Sequence, residues 1–252
     1  MKQRIVTAIS VAALLFVFSI AASQERSRQV TVPASQVVDG DYFALGQMVE
    51  ISGTINGDLY ASGGQIVIDG RINGDVLVAG GRVSLSGTVS QDVRAAGGHV
   101  SITGNVGRNL TVAGGNVEIA PSAVVRGAVV AAGGSVDLAA PVGSAAKIAA
   151  GTLIIANRIA GDVEAAVGTL RITSRADIDG NVSYWSGQEA AVSEGARVKG
   201  KIVRNVPPER PRIFPAALFA WLVVPLVMLF GLGAELIARK QFYATARSRD
   251  LI

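Results

Sequence analysis

The chain predicts an all-β fold. It is a parallel β-helix, a triangular solenoid of about ten coils of 17–19 residues, with one C-terminal transmembrane α-helix behind it. Three observations carry this. A nine-residue phrase recurs as NGDLYASGG (56–64), NGDVLVAGG (73–81), SQDVRAAGG (90–98) and GRNLTVAGG (107–115). The second glycine of each GG, or its counterpart, falls at Gly64, Gly81, Gly98, Gly115, Gly134, Gly151, Gly168 and Gly187, at intervals of 17, 17, 17, 19, 17, 17 and 19. Between these marks aliphatic residues alternate with period two, the spacing of a strand with one buried face. The composition agrees: 30 glycines, no cysteine and 5% aromatics leave Val, Ile, Leu and Ala to fill the core.

Taken in order, the chain opens with MKQR, then IVTAISVAALLFVFSIAAS, then QERSRQ. A basic start, an apolar run and small residues before a polar stretch read as a secretory signal over 1–23. Cleavage is expected after Ser23 or Ala21, the alternative being an uncleaved anchor; the repeat is exported in either case. Residues 24–29 form a short N-terminal segment, and the repeat occupies 30–204. PPERPR (207–212), within the linker 205–212, is short and stiff. IFPAALFAWLVVPLVMLFGLGA (213–234) has 22 residues without a charge, long enough to cross about 30 Å of hydrocarbon. The alternative for this stretch is a buried core helix, which its length argues against. A spanning helix over 213–237 places the basic tail 238–252 inside, and Arg239, Lys240, Arg247 and Arg249 agree with the positive-inside tendency. Arg204, Arg210 and Arg212 on the exported side run against it.

The 17-residue unit predicts three very short strands separated by glycine corners. One unit cannot bury its five or so aliphatic side chains; stacked units can. Each strand then pairs with its copy in the next coil at about 4.8 Å, so ten units make a rod of roughly 48 Å. Ile66, Ile68, Val76, Val83, Val93, Val100 and Leu110 are the expected core ladder. The glycine columns are expected at corners that need tight turns. The two longer intervals add two residues each, which loop out without reversing the buried face. One of them carries Pro121–Ser122.

A polar column runs through the phrase: Asp41, Asp58, Asp75, Asp92 and Asn109, returning as Asp162 and Asn181. Most members follow glycine and precede an interior aliphatic. Asp and Asn cap turns by accepting from backbone N–H groups, and a capping role permits the exchange of one for the other. The chemical alternative is a ladder of carboxylates forming a cation site or an acid/base pair.

The stretch GTINGDLYASGGQIVIDGRINGDVLVAGGRVSLSGTV (53–89) resembles the bactofilins, polymer-forming proteins of bacteria, and the resemblance covers about residues 40–203. It implies a right-handed triangular β-helix and a structural role. It also implies end-to-end assembly into filaments without a nucleotide, close to a membrane. The better-known members are cytoplasmic, whereas this chain reads as exported and anchored, as in envelope relatives that join the repeat to transmembrane helices. End-to-end growth requires an uncovered terminal coil. The N-terminal coil near VTVPAS (30–35) is the freer end, although Pro33 discourages strand pairing there.

Other chemistries find little support. Residues 30–203 hold 12 Lys/Arg and 15 Asp/Glu, so the repeat carries no basic stripe for nucleic acid. His99 stands alone in an outward column with Met48, Gln65, Arg82, Asn116, Ser135, Thr152 and Thr169, and no Ser/His/Asp set accompanies it. A polysaccharide-cleaving β-helix needs carboxylates in a loop-walled groove, and the corners here are short. Tyr184 and Trp185 either cap the last hydrophobic layer or sit at a membrane interface. The expected protein is a non-enzymatic envelope scaffold: a rod on the outer side of the cytoplasmic membrane, held by a single pass. It has no cofactor, metal or small-molecule substrate, and its partners are the membrane and further copies of itself, joined end to end or laterally. The competing expectation is a monomeric rod that binds an envelope glycan or protein.

Overall fold

The structure, a computed structural model, describes residues 29–206. It is a parallel β-solenoid of about ten turns, all-β throughout the described residues. The signal segment 1–23, the residues up to 28, PPERPR, the apolar segment 213–237 and the tail 238–252 lie outside the described residues.

A regular coil holds two strands where three were expected. In one coil they are Leu59–Ile68 and Arg71–Ile72; in the next, Val76–Leu85 and Thr88–Val89. The ten-residue strand passes through the GG corner. Leu59 to Gly63 pair with Val76 to Gly80, and Gln65 to Ile68 pair with Arg82 to Leu85. Only the second glycine, Gly64 over Gly81, drops out of the ladder. The chain therefore bends at one residue, and hydrogen bonding resumes at once on the new face.

All pairing is parallel, and equivalent residues stack in register. Val76 lies between Leu59 and Val93, and Leu110 follows Val93; Val83 lies between Ile66 and Val100. Ile66, Ile68, Val76, Val83, Val93, Val100 and Leu110 are all fully buried. Their columns form one continuous aliphatic core along the rod. At about 25 cal/mol per Å² of apolar surface, each such side chain contributes about 2 kcal/mol before chain entropy is counted.

The inserted residues loop out at the corner after the long strand. Turns fall at Ala34–Ser35, Pro121–Ser122 and Ser174–Arg175, and the register across each is 19: Gln29 with Met48, Leu110 with Val129, Val163 with Val182. An even insertion keeps the same residues facing inward. The side of the coil formed by the two-residue strands is less regular. It forms a six-stranded sheet near the N-terminus and a three-stranded one near the C-terminus. Val142, which follows Pro141, links them through single bridges to Val125 and Ile159.

The glycine columns have a different cause from the one expected. Among the described residues only Gly40 (φ 99°) and Gly195 (φ 92°) have left-handed backbone. Most of the others are held by the close approach of neighbouring coils, Gly187 being an exception. A Cβ on Gly97 would stand 2.6 Å from the Gly80 carbonyl oxygen. At Gly70, Gly87 and Gly104 it would fall well inside contact with the carbonyl oxygen of the glycine one coil below. The restriction is not uniform along the columns. Ala123, Ala140 and Ala176 occupy the later corners and are buried, and Ala150 and Val167 stack above Gly133 in the GG column.

Candidate interaction surfaces

The Asp/Asn column forms a side-chain-to-backbone ladder between coils. The Asp58 amide donates to Asp41 Oδ1 (2.9 Å), that of Asp75 to Asp58 Oδ1 (2.8 Å), and that of Asp92 to Asp75 Oδ1 (3.0 Å). The Asn109 amide donates to Asp92 Oδ1 (3.0 Å) and the Ala128 amide to Asn109 Oδ1 (3.0 Å). The pattern breaks at Ala128 and Ala145. It resumes where the Asn181 amide donates to Asp162 Oδ1 (2.7 Å) and the Lys201 amide to Asn181 Oδ1 (3.0 Å). Each side chain thus reaches the next coil rather than its own turn. Only one oxygen is needed for this, so Asp and Asn serve alike. A second ladder was not anticipated: Asn73 Nδ2 donates to Asn56 Oδ1 (2.8 Å), and Asn56 Nδ2 to Asp39 Oδ1 (2.7 Å). Its sequence signal was the recurring Asn in NGD.

Asp92 shows the electrostatics of the column. Partial burial pushes its carboxyl up, but the Asn109 amide and the Arg108 and Arg94 guanidiniums outweigh it, and its pKa lies below the ordinary value. Its contribution to stability is therefore present above the ordinary carboxylate pKa and lost as pH falls through the lowered folded value. Asp92→Ala, which leaves the Asn109 amide without this acceptor, should cost about 1–2 kcal/mol. Asp92→Asn, which keeps the acceptor, should cost less than half of that and remove part of the acid sensitivity. Thermal melts from neutral pH down to the carboxylate range check both.

Asp137 is the opposite case. Burial, then the neighbouring Glu118 one coil below, raise its pKa, with Arg175 opposing. Its Oδ1 is buried without a hydrogen-bond partner. A raised folded value means stability is greatest below the ordinary carboxylate pKa and is lost as pH rises through the folded one. Asp137→Asn should accordingly raise the melting temperature at pH 7 by roughly 2–4 °C, with the gain vanishing in acid.

The two ends differ. At the N-terminal end Gln29–Val32 pairs only with the second half of Tyr42–Ile51. The edge of Tyr42 to Gly46 that faces away from the next coil has no strand partner among the described residues. At the C-terminal end Ile202–Asn205 pairs with Val182–Trp185 and with nothing beyond it among the described residues. Ile202 stacks on fully buried Val182 yet is 42% exposed, and Val192 stacks on fully buried Ile172 yet is 47% exposed. Arg204, over Tyr184, covers part of this end, donating to the Gly187 (2.7 Å) and Ser186 (3.2 Å) carbonyls. Tyr184 is buried, and its hydroxyl accepts from the Ala190 amide (3.0 Å), while Trp185 faces outward. Only Tyr184, of the pair singled out in the sequence, lies in the last full layer.

Along the GG corner runs an open groove of about 460 Å³, floored by Gly64, Gly81 and Gly98 and walled by Gln47, Gln65, Arg82 and His99. His99 Nδ1 is 3.1 Å from Asn116 Nδ2, in the column above it. Among the described residues, no group of three or more His, Cys, Asp or Glu side chains is placed to hold a metal ion. No family model, curated protein or solved structure matches this chain.

Proposed function

We propose that the protein is a bactofilin-like scaffold of the bacterial cell envelope: a membrane-anchored, right-handed β-helical rod that associates end to end. What supports the reading is the last described coil, where Ile202 and Val192 occupy interior columns but are 42% and 47% exposed, beside a strand edge with no partner among the described residues. An open solenoid end is a template for a further coil, because every backbone group and interior column already lies in register for one. The sequence supplies the rest of the proposal. An N-terminal stretch that reads as a secretory signal, with a charge-free 22-residue segment after the repeat, supports a rod on the outer side of the cytoplasmic membrane. The role is mechanical, with no catalysis and no cofactor.

The test is the mass and shape of the purified full-length chain in mild detergent. Filaments in electron micrographs, with mass rising with concentration, are expected. Ile202→Lys, which charges the open end at a position already 42% exposed, should reduce both. A fixed monomer mass insensitive to Ile202→Lys would turn the assignment toward a binding module, for which the groove along Gly64, Gly81 and Gly98 is the specific candidate.

A further inference from the structure

The first half of each ten-residue strand contributes two outward residues, and together these build one face of the rod. Of the exposed large hydrophobic residues, Phe43, Leu45, Val130, Trp185 and Val203 lie on it. Its two columns differ systematically in size. One holds Tyr60, Leu77, Arg94, Val130, Lys147 and Glu164. The other, two residues along each strand, holds Ser62, Ala79, Ala96, Ala132, Ala149 and Ala166 at the same levels. At the C-terminal level the order inverts, with Ser183 in the large column and Trp185 in the small one.

We infer that this face is the interface between two copies lying side by side, parallel, about a two-fold axis along the rod. Such an axis sets a large residue of one copy against a small residue of the other from the Tyr60 level to the Trp185 level; at the N-terminal level Phe43 meets Leu45, two large side chains. Leu77 faces Ala79 of the second copy, Val130 faces Ala132, and Trp185 faces Ser183. Facing sheets pack by interdigitating large and small side chains, and a two-fold interface must be complementary to itself; this one is. The charges agree. Arg94 pairs within its own chain with Asp92 (3.2 Å) and Asp75 (3.4 Å), and Lys147 with Glu164 (3.2 Å). Across the axis these three meet Ala96, Ala149 and Ala166, so no like charges are opposed. A lipid surface would instead call for cations left free to meet headgroups, and both cations here are neutralised. The size is adequate: roughly 48 Å of rod by 16 Å of strand is about 800 Å² per copy, that of a standard stable interface. The parallel arrangement leaves both C-terminal ends on the same side. The inference stands independently of end-to-end growth.

The experiment uses the full-length chain in mild detergent with Ile202→Lys present, which removes end-on association. Light scattering with the detergent contribution subtracted should give a dimer. Ala79→Leu sets two large residues against each other and should weaken the dimer about tenfold or more, while the melting temperature of the rod stays unchanged. The exchange Leu77→Ala with Ala79→Leu swaps knob and hole and should restore the dimer. Because the chain has no cysteine, Ala132→Cys in native membranes should be joined to its copy by a short bismaleimide, and Ser101→Cys and Thr88→Cys on the other two faces should not. A monomer, an unaffected Ala79→Leu dimer, or failure of the exchange to restore it overturns the inference. So does cross-linking that ignores the face. Absence of filaments with the dimer intact would sink the end-to-end proposal alone.

Discussion

Val93→Asp is expected to abolish the folded rod. Val93 is fully buried, stacked between Val76 and Leu110, and both of these neighbours are aliphatic, so nothing beside it in the column can receive a charge. An unpaired carboxylate there either stays ionised in an apolar interior or takes up a proton, and both cost more than a rod of this kind can carry. The loss should exceed about 4 kcal/mol, the range reserved for buried charge and gross packing defects. In a solenoid each coil touches only its neighbours, so the damage divides the stack rather than denting one wall of a larger core. The full-length chain should lose its cooperative thermal transition and become sensitive to protease between Asp75 and Asn109. Val93→Ala, which removes volume without adding charge, should cost about 2 kcal/mol and keep the transition.

The second large effect concerns a methyl group. Gly87→Ala should destabilise the rod by about 2–3 kcal/mol, because the new Cβ meets the Gly70 carbonyl oxygen of the coil below and the two coils must part. Gly187→Ala should be neutral or slightly stabilising: nothing lies within 4 Å of its Cβ position, and its backbone is not left-handed. Chemical denaturation of both variants separates the two causes a glycine can have. If both fall equally, conformational freedom matters more than coil spacing, and close approach is not what fixes the glycine columns.

Much of this architecture was legible because the solenoid writes its geometry into its period. A 17-residue interval with period-two aliphatics leaves few alternatives, and Ile66, Ile68, Val76 and Leu110 could be placed inside without coordinates. The strand count was not legible. A GG pair reads as a break, yet the backbone bends at Gly64 and resumes pairing at Gln65, which depends on the coil above being there to pair with. The reason for the glycines was hidden for the same cause: a contact between Gly87 and Gly70 lies 17 residues away in the chain and one layer away in space. The Asp column was visible as a pattern, but its partner was not. A carboxylate beside a turn could equally have closed its own loop, and only the stacking shows that Asp75 receives the Asp92 amide. The large-and-small face was present in the letters of VLVAGG, VRAAGG and VVAAGG. It carries meaning only once alternate residues are known to share one outer surface.

The thinning of the ladder at the two ends of the rod has a mechanical consequence. Inter-coil hydrogen bonds in a solenoid point along its axis, so a pull on the two ends loads every junction in series, and the junction with the fewest parallel bonds yields first. Near the middle, Ala128 and Ala145 interrupt the polar column, yet nine residue pairs still hold Val129–Leu138 to Ala146–Ile155 and nine hold that strand to Val163–Ile172. The terminal strands Gln29–Val32 and Ile202–Asn205 are each held by four. Under tension the described rod should therefore peel from an end coil while the middle stays one block. Such a rod would behave as a stiff bar with a sacrificial link at its tip, giving way by shedding a coil rather than by snapping at mid-length.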